Sequence, residues 1–130
     1  MDYSSEKILL VDDNCKYLQN LARFLRSEGY NVDEAQDGNE AAQHLKQRTY
    51  DLMVSDLVMP GINGFRLLEK KRQLAPDTPA LIMSSFADIN LPELMEAGAV
   101  DFIAKPLELD QLLTKVKRAL RERFEQNAEC

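Results

Sequence analysis

Five short strand-like segments, each followed by a longer segment of helical period, limit most strongly how this chain can fold. Four are runs of consecutive apolar residues and the fifth alternates: Ile8–Val11, Leu52–Val54, Ala80–Met83, Phe102–Ala104, and the alternating Tyr30–Ala35. Uninterrupted apolar runs of this length are typical of strands covered on both faces, whereas an alternating strand fits the edge of a sheet.

The intervening segments have apolar residues at helical spacing. Leu18, Leu21, Ala22 and Leu25 form one stripe, and the last stripe runs from Leu109 to Leu120. Three more helices are predicted over 39–48, over 65–74 and as a short helix after Asn90. A βα unit repeated five times predicts one α/β domain: a five-stranded parallel sheet with helices on both faces.

Charge and cysteine usage narrow the classes of function. The 130 residues have a formal net charge of −6, which disfavours binding to nucleic acid or to an anionic membrane. Cys15 and Cys130 lack metal-site spacing and indicate free thiols in a reducing compartment. The first residues do not resemble a signal peptide, and no apolar run is long enough to cross a bilayer, so we expect a cytoplasmic protein.

Charged or polar side chains follow four of the five predicted strands. Asp12 and Asp13 follow the first, Asp56 the third, Ser84 the fourth and Lys105 the fifth. In an open parallel sheet, ligands bind beyond the carboxyl ends of the strands. We therefore expect these side chains to lie together at one edge.

Three carboxylates at one edge repel one another, by roughly 3 kcal/mol per pair at an effective dielectric near 20. Oxygen ligands without histidine or cysteine favour Mg²⁺ as the neutralising ion. A carboxylate beside a divalent cation, a lysine and a hydroxyl is typical of phosphoryl transfer. Asp56 is the best candidate for the nucleophile, and Ser84 for a hydrogen-bond donor to a phosphoryl oxygen.

The ordered segments LLVDDN, DLMVSDLVMPGINGF, LIMSS and DFIAKP resemble the receiver domain of bacterial two-component response regulators. The likeness extends from about residue 6 to 120. It implies the flavodoxin-like strand order 2-1-3-4-5, with residues 1–120 as the receiver domain. Residues 121–130 are then a helical extension or the start of a linker to an output domain.

The resemblance also implies roles for individual residues. Asp12, Asp13 and Asp56, with the backbone carbonyl of Val58, would hold Mg²⁺, and Asp56 would accept the phosphoryl group with the help of Lys105.

Ser84 and Phe102 would form the conformational switch, and the bond from Lys105 to Pro106 would be cis. The phosphodonor would be a histidine kinase or phosphotransfer protein. The face formed by the fourth helix, fifth strand and fifth helix would control an output domain or partner. Such a domain catalyses only its own phosphorylation and dephosphorylation, and is not otherwise an enzyme.

Some positions depart from the family pattern. Val58 and Phe86 are apolar where many receivers have polar groups that tune dephosphorylation, which favours slow loss of the phosphoryl group. The interval from Ser84 to Lys105 is about one residue short and Pro92 lies near the start of the fourth helix, so we expect that helix to be short or displaced.

Several residues have simple interpretations. His44 is predicted to be a surface residue, Cys15 to be inert, and the basic stretch of Arg66, Lys70, Lys71 and Arg72 to be a solvated helix face. Three other functions stay open: a receiver-like interaction module that is never phosphorylated, a phosphatase with an aspartyl nucleophile, and a flavodoxin-type cofactor binder. The adjacent acids argue against the last two, because those classes have D-x-D spacing or a loop rich in Gly, Ser or Thr.

Overall fold

The computed structural model describes residues 6–59, 63–85 and 90–128, with the backbone alone from 123 onward. The strands are β1 (Lys7–Val11), β2 (Asn31–Ala35), β3 (Leu52–Asp56), β4 (Ala80–Ser85) and β5 (Ala99–Lys105). The helices are α1 (Cys15–Ser27), α2 (Gly38–Gln47), α3 (Gly64–Leu74), α4 (Leu91–Ala97) and α5 (Leu109–Ala128). Phe86 and Cys130 lie outside the described residues.

The five strands form one parallel sheet in the order β2-β1-β3-β4-β5. This confirms the expected fold class, and it places β2 at an edge as its alternating pattern predicted. Among the described helices, none is both long and apolar enough for a bilayer crossing.

The core has two layers because successive side chains of a strand point to opposite faces. On β1, Ile8 and Leu10 pack with α1 and α5, whereas Leu9 and Val11 pack with the layer that includes α2, α3 and α4. All four of these residues are fully buried. This two-sided burial explains why β1 is a continuous apolar run.

Asparagine and aspartate side chains begin the first four helices. Asn14, Asp37, Asn63 and Asn90 each accept a hydrogen bond from the backbone N–H three residues later, which pairs a donor that the helix itself cannot satisfy. Helix α4 has Pro92 in its first turn and ends after seven residues at Gly98, whose φ is 112°. The short fourth helix expected from Pro92 is confirmed.

Two predictions about polar residues are wrong. Lys71 is only 6% exposed, because it continues the buried face of α3 that contains Leu67 and Leu68. The other basic residues of that stretch are partly or fully exposed. His44 is half-buried rather than superficial, and its Nδ1 is shielded from solvent without a hydrogen-bond partner among the described residues.

Candidate functional site

The charged residues that follow β1, β3 and β5 meet at the carboxyl edge of the sheet. Asp12 and Asp13 follow β1 directly, Asp56 ends β3, and Lys105 ends β5. The parallel register pairs Val11 with Ser55 and Ser85 with Lys105, so these strands end at nearly the same level. The gathering predicted from the sequence is therefore present in the fold.

The three carboxylates form a compact acidic cluster. One oxygen from each of Asp12, Asp13 and Asp56 lies within 4.8 Å of the others. Asp12 is 1% exposed and Asp56 is 7% exposed, whereas Asp13 is open to solvent. An all-oxygen cluster with one open side has the composition and access that a hard divalent cation with bound water requires.

Lys105 is the cation that contacts the acidic cluster. Its Nζ lies 3.1 Å from Oδ2 of Asp12 and 3.1 Å from Oδ2 of Asp56. Burial lowers the pKa of the Lys105 ammonium, but the two carboxylates outweigh burial and raise the pKa above its ordinary value. The lysine therefore stays charged at neutral pH.

The surroundings of Asp56 raise the pKa of its carboxyl group. Burial raises the pKa of the Asp56 carboxyl, Lys105 lowers it and Asp12 raises it again, and the net result is a pKa above the ordinary value. This direction follows from taking a second carboxylate out of water beside the first. A cation in addition to Lys105 would favour the ionised form of Asp56.

The backbone holds the loops of the site in place. The N–H of Asn14 donates to Oδ1 of Asp12 at 2.9 Å, and the N–H of Gly64 donates to the carbonyl of Leu57 at 2.7 Å. A Cβ on Gly64 would lie 2.7 Å from Cα of Leu57. Only glycine fits there, and this close approach fixes the chain directly after Asp56. The side chain of Val58 is 59% exposed beside the site.

Ser84 lies near the end of β4, between the strands that contribute Asp56 and Lys105. It is 1% exposed, and its Oγ has no hydrogen-bond partner among the described residues. Buried hydroxyls are nearly always hydrogen-bonded. The hydroxyl of Ser84, unpaired within the described part of the chain, is therefore an exception, and it remains able to donate a hydrogen bond.

Phe102 pairs with Ile82 on β4, two residues before Ser84. It is half-buried and packs against the core layer that includes α2, α3 and α4. Lys115 of α5 donates to the Phe102 carbonyl at 2.8 Å and lies 5.2 Å from the centre of its ring. The peptide bond between Lys105 and Pro106 is cis.

Tyr17 is the residue that the sequence reasoning missed. Its ring, on the first turn of α1, lies with its centre 4.9 Å from Nζ of Lys105. The position of Tyr17 four residues after Asp13 places it near the acids, but the contact with Lys105 depends on where β5 ends. Cys15, the first residue of α1, is exposed, and its Sγ accepts a hydrogen bond from the side-chain amide of Gln36 at 3.5 Å.

Comparison with known proteins gives one consistent answer. A family model described as the response regulator receiver domain matches residues 8–117. The chain is 35% identical over 123 residues to the transcriptional regulatory protein ZraR of Salmonella typhimurium, covering 94% of this chain and 28% of that protein. It is 37% identical over 118 residues to the regulatory protein VanRB of Enterococcus faecalis, covering 90% of this chain and 53% of that one.

Solved structures agree with the sequence comparison. A CheY-like response regulator receiver domain protein from Methanospirillum hungatei superposes with a TM-score of 0.88 at 29% identity, over 95% of this chain and 99% of that one. The receiver domain of the Francisella response regulator 1452 superposes with a TM-score of 0.83 at 29% identity, over 91% of this chain and 98% of that one. Since the family match runs from β1 into α5, this chain belongs to the receiver domains of two-component response regulators.

Proposed function

We propose that the chain accepts a phosphoryl group on Asp56 from a phosphohistidine of a histidine kinase or phosphotransfer protein, and that Asp12, Asp13 and Asp56 bind the Mg²⁺ that this transfer requires. The observation that carries the proposal is the acidic cluster within 4.8 Å with Lys105 at 3.1 Å from two of its members.

In this proposal, an oxygen of Asp56 attacks phosphorus in line while the bond to the donor imidazole breaks. The imidazole leaves with the electron pair of that bond, and the product on this chain is an aspartyl phosphate. Bound Mg²⁺ would neutralise negative charge on the phosphoryl oxygens. The backbone carbonyl of Val58 would be its fourth protein ligand, beside the three carboxylates. Lys105 donates to a phosphoryl oxygen and adds a second positive charge.

The proposed response to phosphorylation begins at Ser84. Its buried Oγ lacks a partner among the described residues, so a phosphoryl oxygen on Asp56 gives that hydroxyl its first acceptor. Movement of Ser84 toward Asp56 changes the packing available to Phe102 on the neighbouring strand. The α4–β5–α5 face then shifts from one of two conformations toward the other, which changes its affinity for a partner or an output domain.

The domain is proposed to act as a signalling phosphoacceptor in the cytoplasm, where kinases make such phosphodonors from ATP. It catalyses its own phosphorylation and dephosphorylation and no other reaction. The chain spans 28% of the transcriptional regulatory protein ZraR and 53% of the regulatory protein VanRB. An attached or associated regulatory output is therefore part of the proposal.

We expect slow self-dephosphorylation. Hydrolysis needs a positioned water, and the exposed side chain of Val58 offers no hydrogen bond to hold one. The remaining phosphoryl adduct is followed by intact mass after the donor is removed, and a half-life of seconds contradicts this expectation.

Acetyl phosphate and intact mass spectrometry test the main proposal. With Mg²⁺ we expect a single phosphoryl adduct, absent in Asp56→Asn and absent when Mg²⁺ is chelated. Asp110→Asn is the matched control, because Asp110 is an exposed carboxylate on α5. Continuous release of phosphate indicates a phosphatase instead, and no adduct under any condition supports an interaction module.

A further inference from the structure

Among the described residues, the ammonium of Lys105 contacts two carboxylates and one aromatic ring. Oδ2 of Asp12 and Oδ2 of Asp56 each lie 3.1 Å from Nζ. The third contact is the ring of Tyr17, whose centre is 4.9 Å from Nζ. This separation is within the roughly 6 Å at which a cation over an aromatic face is attracted to it.

The two anionic contacts are shared with the proposed metal site. Asp12 and Asp56 belong to the acidic cluster that could hold a divalent ion. A second cation at that cluster competes with Lys105 for the same carboxylates and repels its ammonium. A lysine held by carboxylates alone would then be free to turn toward solvent, since its side chain is 26% exposed.

Tyr17 provides a contact that this competition does not remove. The ring is neutral and does not belong to the oxygen cluster, so binding of a metal leaves it unchanged. The hydroxyl of Tyr17 is buried beside the backbone of Leu107. Burial raises the pKa of this hydroxyl and the N–H of Leu107 lowers it, but no hydrogen bond of good geometry pairs it within the described part of the chain. The aromatic face is therefore the part of Tyr17 that can act on Lys105.

The geometry points to Tyr17 as a positioning residue that holds the Lys105 ammonium at the phosphoryl site when Mg²⁺ draws Asp12 and Asp56 away from it. This inference rests on the proposed phosphorylation of Asp56 and assigns a role to a residue beyond the acid, lysine and serine set. It requires an aromatic ring at position 17 and does not require the hydroxyl.

Phosphorylation rates in a double-mutant cycle test the inference. With Mg²⁺ and acetyl phosphate, Tyr17→Leu should slow adduct formation about threefold to thirtyfold, the range of a partly desolvated cation–π contact. Tyr17→Phe should restore the rate to within about twofold. In a Lys105→Met background, the change from Tyr17 to leucine should have no further effect.

Tyr30→Leu is the matched control for loss of packing. Tyr30, like Tyr17, is partly buried against the core layer of α1 and α5, but it precedes β2 at the opposite edge of the sheet. The Tyr30→Leu variant should be phosphorylated at the same rate as the unsubstituted protein. An equal loss in Tyr30→Leu, or a full loss in Tyr17→Phe, overturns the inference.

The ε-methylene proton resonances of Lys105 give a second measurement that needs no phosphorylation. We expect an upfield ring-current shift relative to other lysines, present in Tyr17→Phe, lost in Tyr17→Leu and retained when Mg²⁺ is added. Disappearance of that shift on addition of Mg²⁺ overturns the inference. If the shift persists but the protein takes up no phosphoryl group, the proposed function fails while the contact between Tyr17 and Lys105 stands.

Discussion

The Nζ of Lys105 lies 3.1 Å from Oδ2 of Asp56, although 49 positions separate the two residues in the sequence. Strand β4 lies between their strands in the sheet, and neighbouring strands are about 4.8 Å apart. The lysine side chain therefore reaches back across one strand to meet the carboxylate. This cross-strand ion pair neutralises part of the charge that three acids concentrate at one edge.

We expect Lys105→Met to destabilise the metal-free protein and to strengthen its binding of Mg²⁺. Removing the ammonium leaves Asp12 and Asp56 buried without their cation, and loss of one partner of a buried pair costs about 3 kcal/mol. The same removal ends a repulsion between Nζ and the metal, which should tighten Mg²⁺ binding about tenfold.

Urea denaturation with chelator and with Mg²⁺ measures the first effect, and calorimetric titration measures the second. Lys117→Met, at an exposed position of α5, is the control and should change neither quantity. Equal Mg²⁺ affinities for Lys105→Met and the unsubstituted protein would show that the ammonium does not share the site with the metal.

Ser84→Ala should abolish the response to phosphorylation without lowering the stability of the fold. The buried Oγ of Ser84 has no hydrogen-bond partner among the described residues, so its removal should leave the free energy of unfolding unchanged or raise it by up to about 1 kcal/mol. The response to phosphorylation should be lost, because no hydroxyl remains to follow the phosphoryl group.

Chemical shifts of the Phe102 ring, recorded before and after acetyl phosphate and Mg²⁺ are added, report that response. Ser85→Ala is the control, because its side chain points to the opposite face of β4. If the Phe102 resonances move equally in Ser84→Ala and the unsubstituted protein, Ser84 is not the trigger.

The element order and the gathering of charged residues were predictable because both follow from local pattern. Strand β1 ends where apolar residues give way to Asp12, and topology alone then brings the carboxyl ends of parallel strands to one edge. Neither inference needs to know how individual side chains are oriented.

Lys71 and Tyr17 were missed for different reasons. Lys71 lies seven residues after Gly64 on the face that also contains Leu67 and Leu68, so helical period marks it as buried, but its basic neighbours suggested a solvated face. The contact of Tyr17 with Lys105 joins α1 to β5. No local pattern contains that information, because the relative placement of the two elements depends on the packing of the whole sheet.

The hydrogen bond between Tyr50 and Asp33, away from the site, predicts a pH dependence of stability. Tyr50 donates to Oδ2 of Asp33 at 2.6 Å, and Arg48 lies 2.8 Å from the same oxygen. Burial raises the pKa of Asp33, but these two partners outweigh it and lower the pKa below 3.8. The stabilisation is therefore fully present above about pH 4, and it is lost as pH falls through the lowered pKa.

Tyr50→Phe should lower the free energy of unfolding by about 1.5 kcal/mol at pH 7, the usual contribution of a hydrogen bond to a charged group. The difference from the unsubstituted protein should narrow as pH falls below about 4 and through the lowered pKa of Asp33. Urea denaturation between pH 7 and 3 measures it, with Tyr30→Phe as the control. A difference that stays constant down to pH 3 contradicts the assignment of this pair.

The largely buried position of Lys71 should destabilise the fold at neutral pH. Burial lowers the pKa of Lys71 from 10.5, the charge of Arg72 lowers it further, and Asp77 opposes both. The unfolded chain therefore binds this proton more tightly than the folded one. The resulting destabilisation is fully present below the lowered pKa, and it fades as pH rises toward 10.5.

Lys71→Met keeps the length of the side chain and removes the charge, so it should raise the free energy of unfolding by about 1 kcal/mol at pH 7. The gain should shrink at alkaline pH, because Lys71 in the folded unsubstituted protein then loses its proton and no longer places a charge in a buried position. Urea denaturation at pH 7 and pH 10 measures both values. Lys46→Met, at an exposed position of α2, should give no gain, and a loss of stability in Lys71→Met at pH 7 would show that the ammonium is satisfied where it lies.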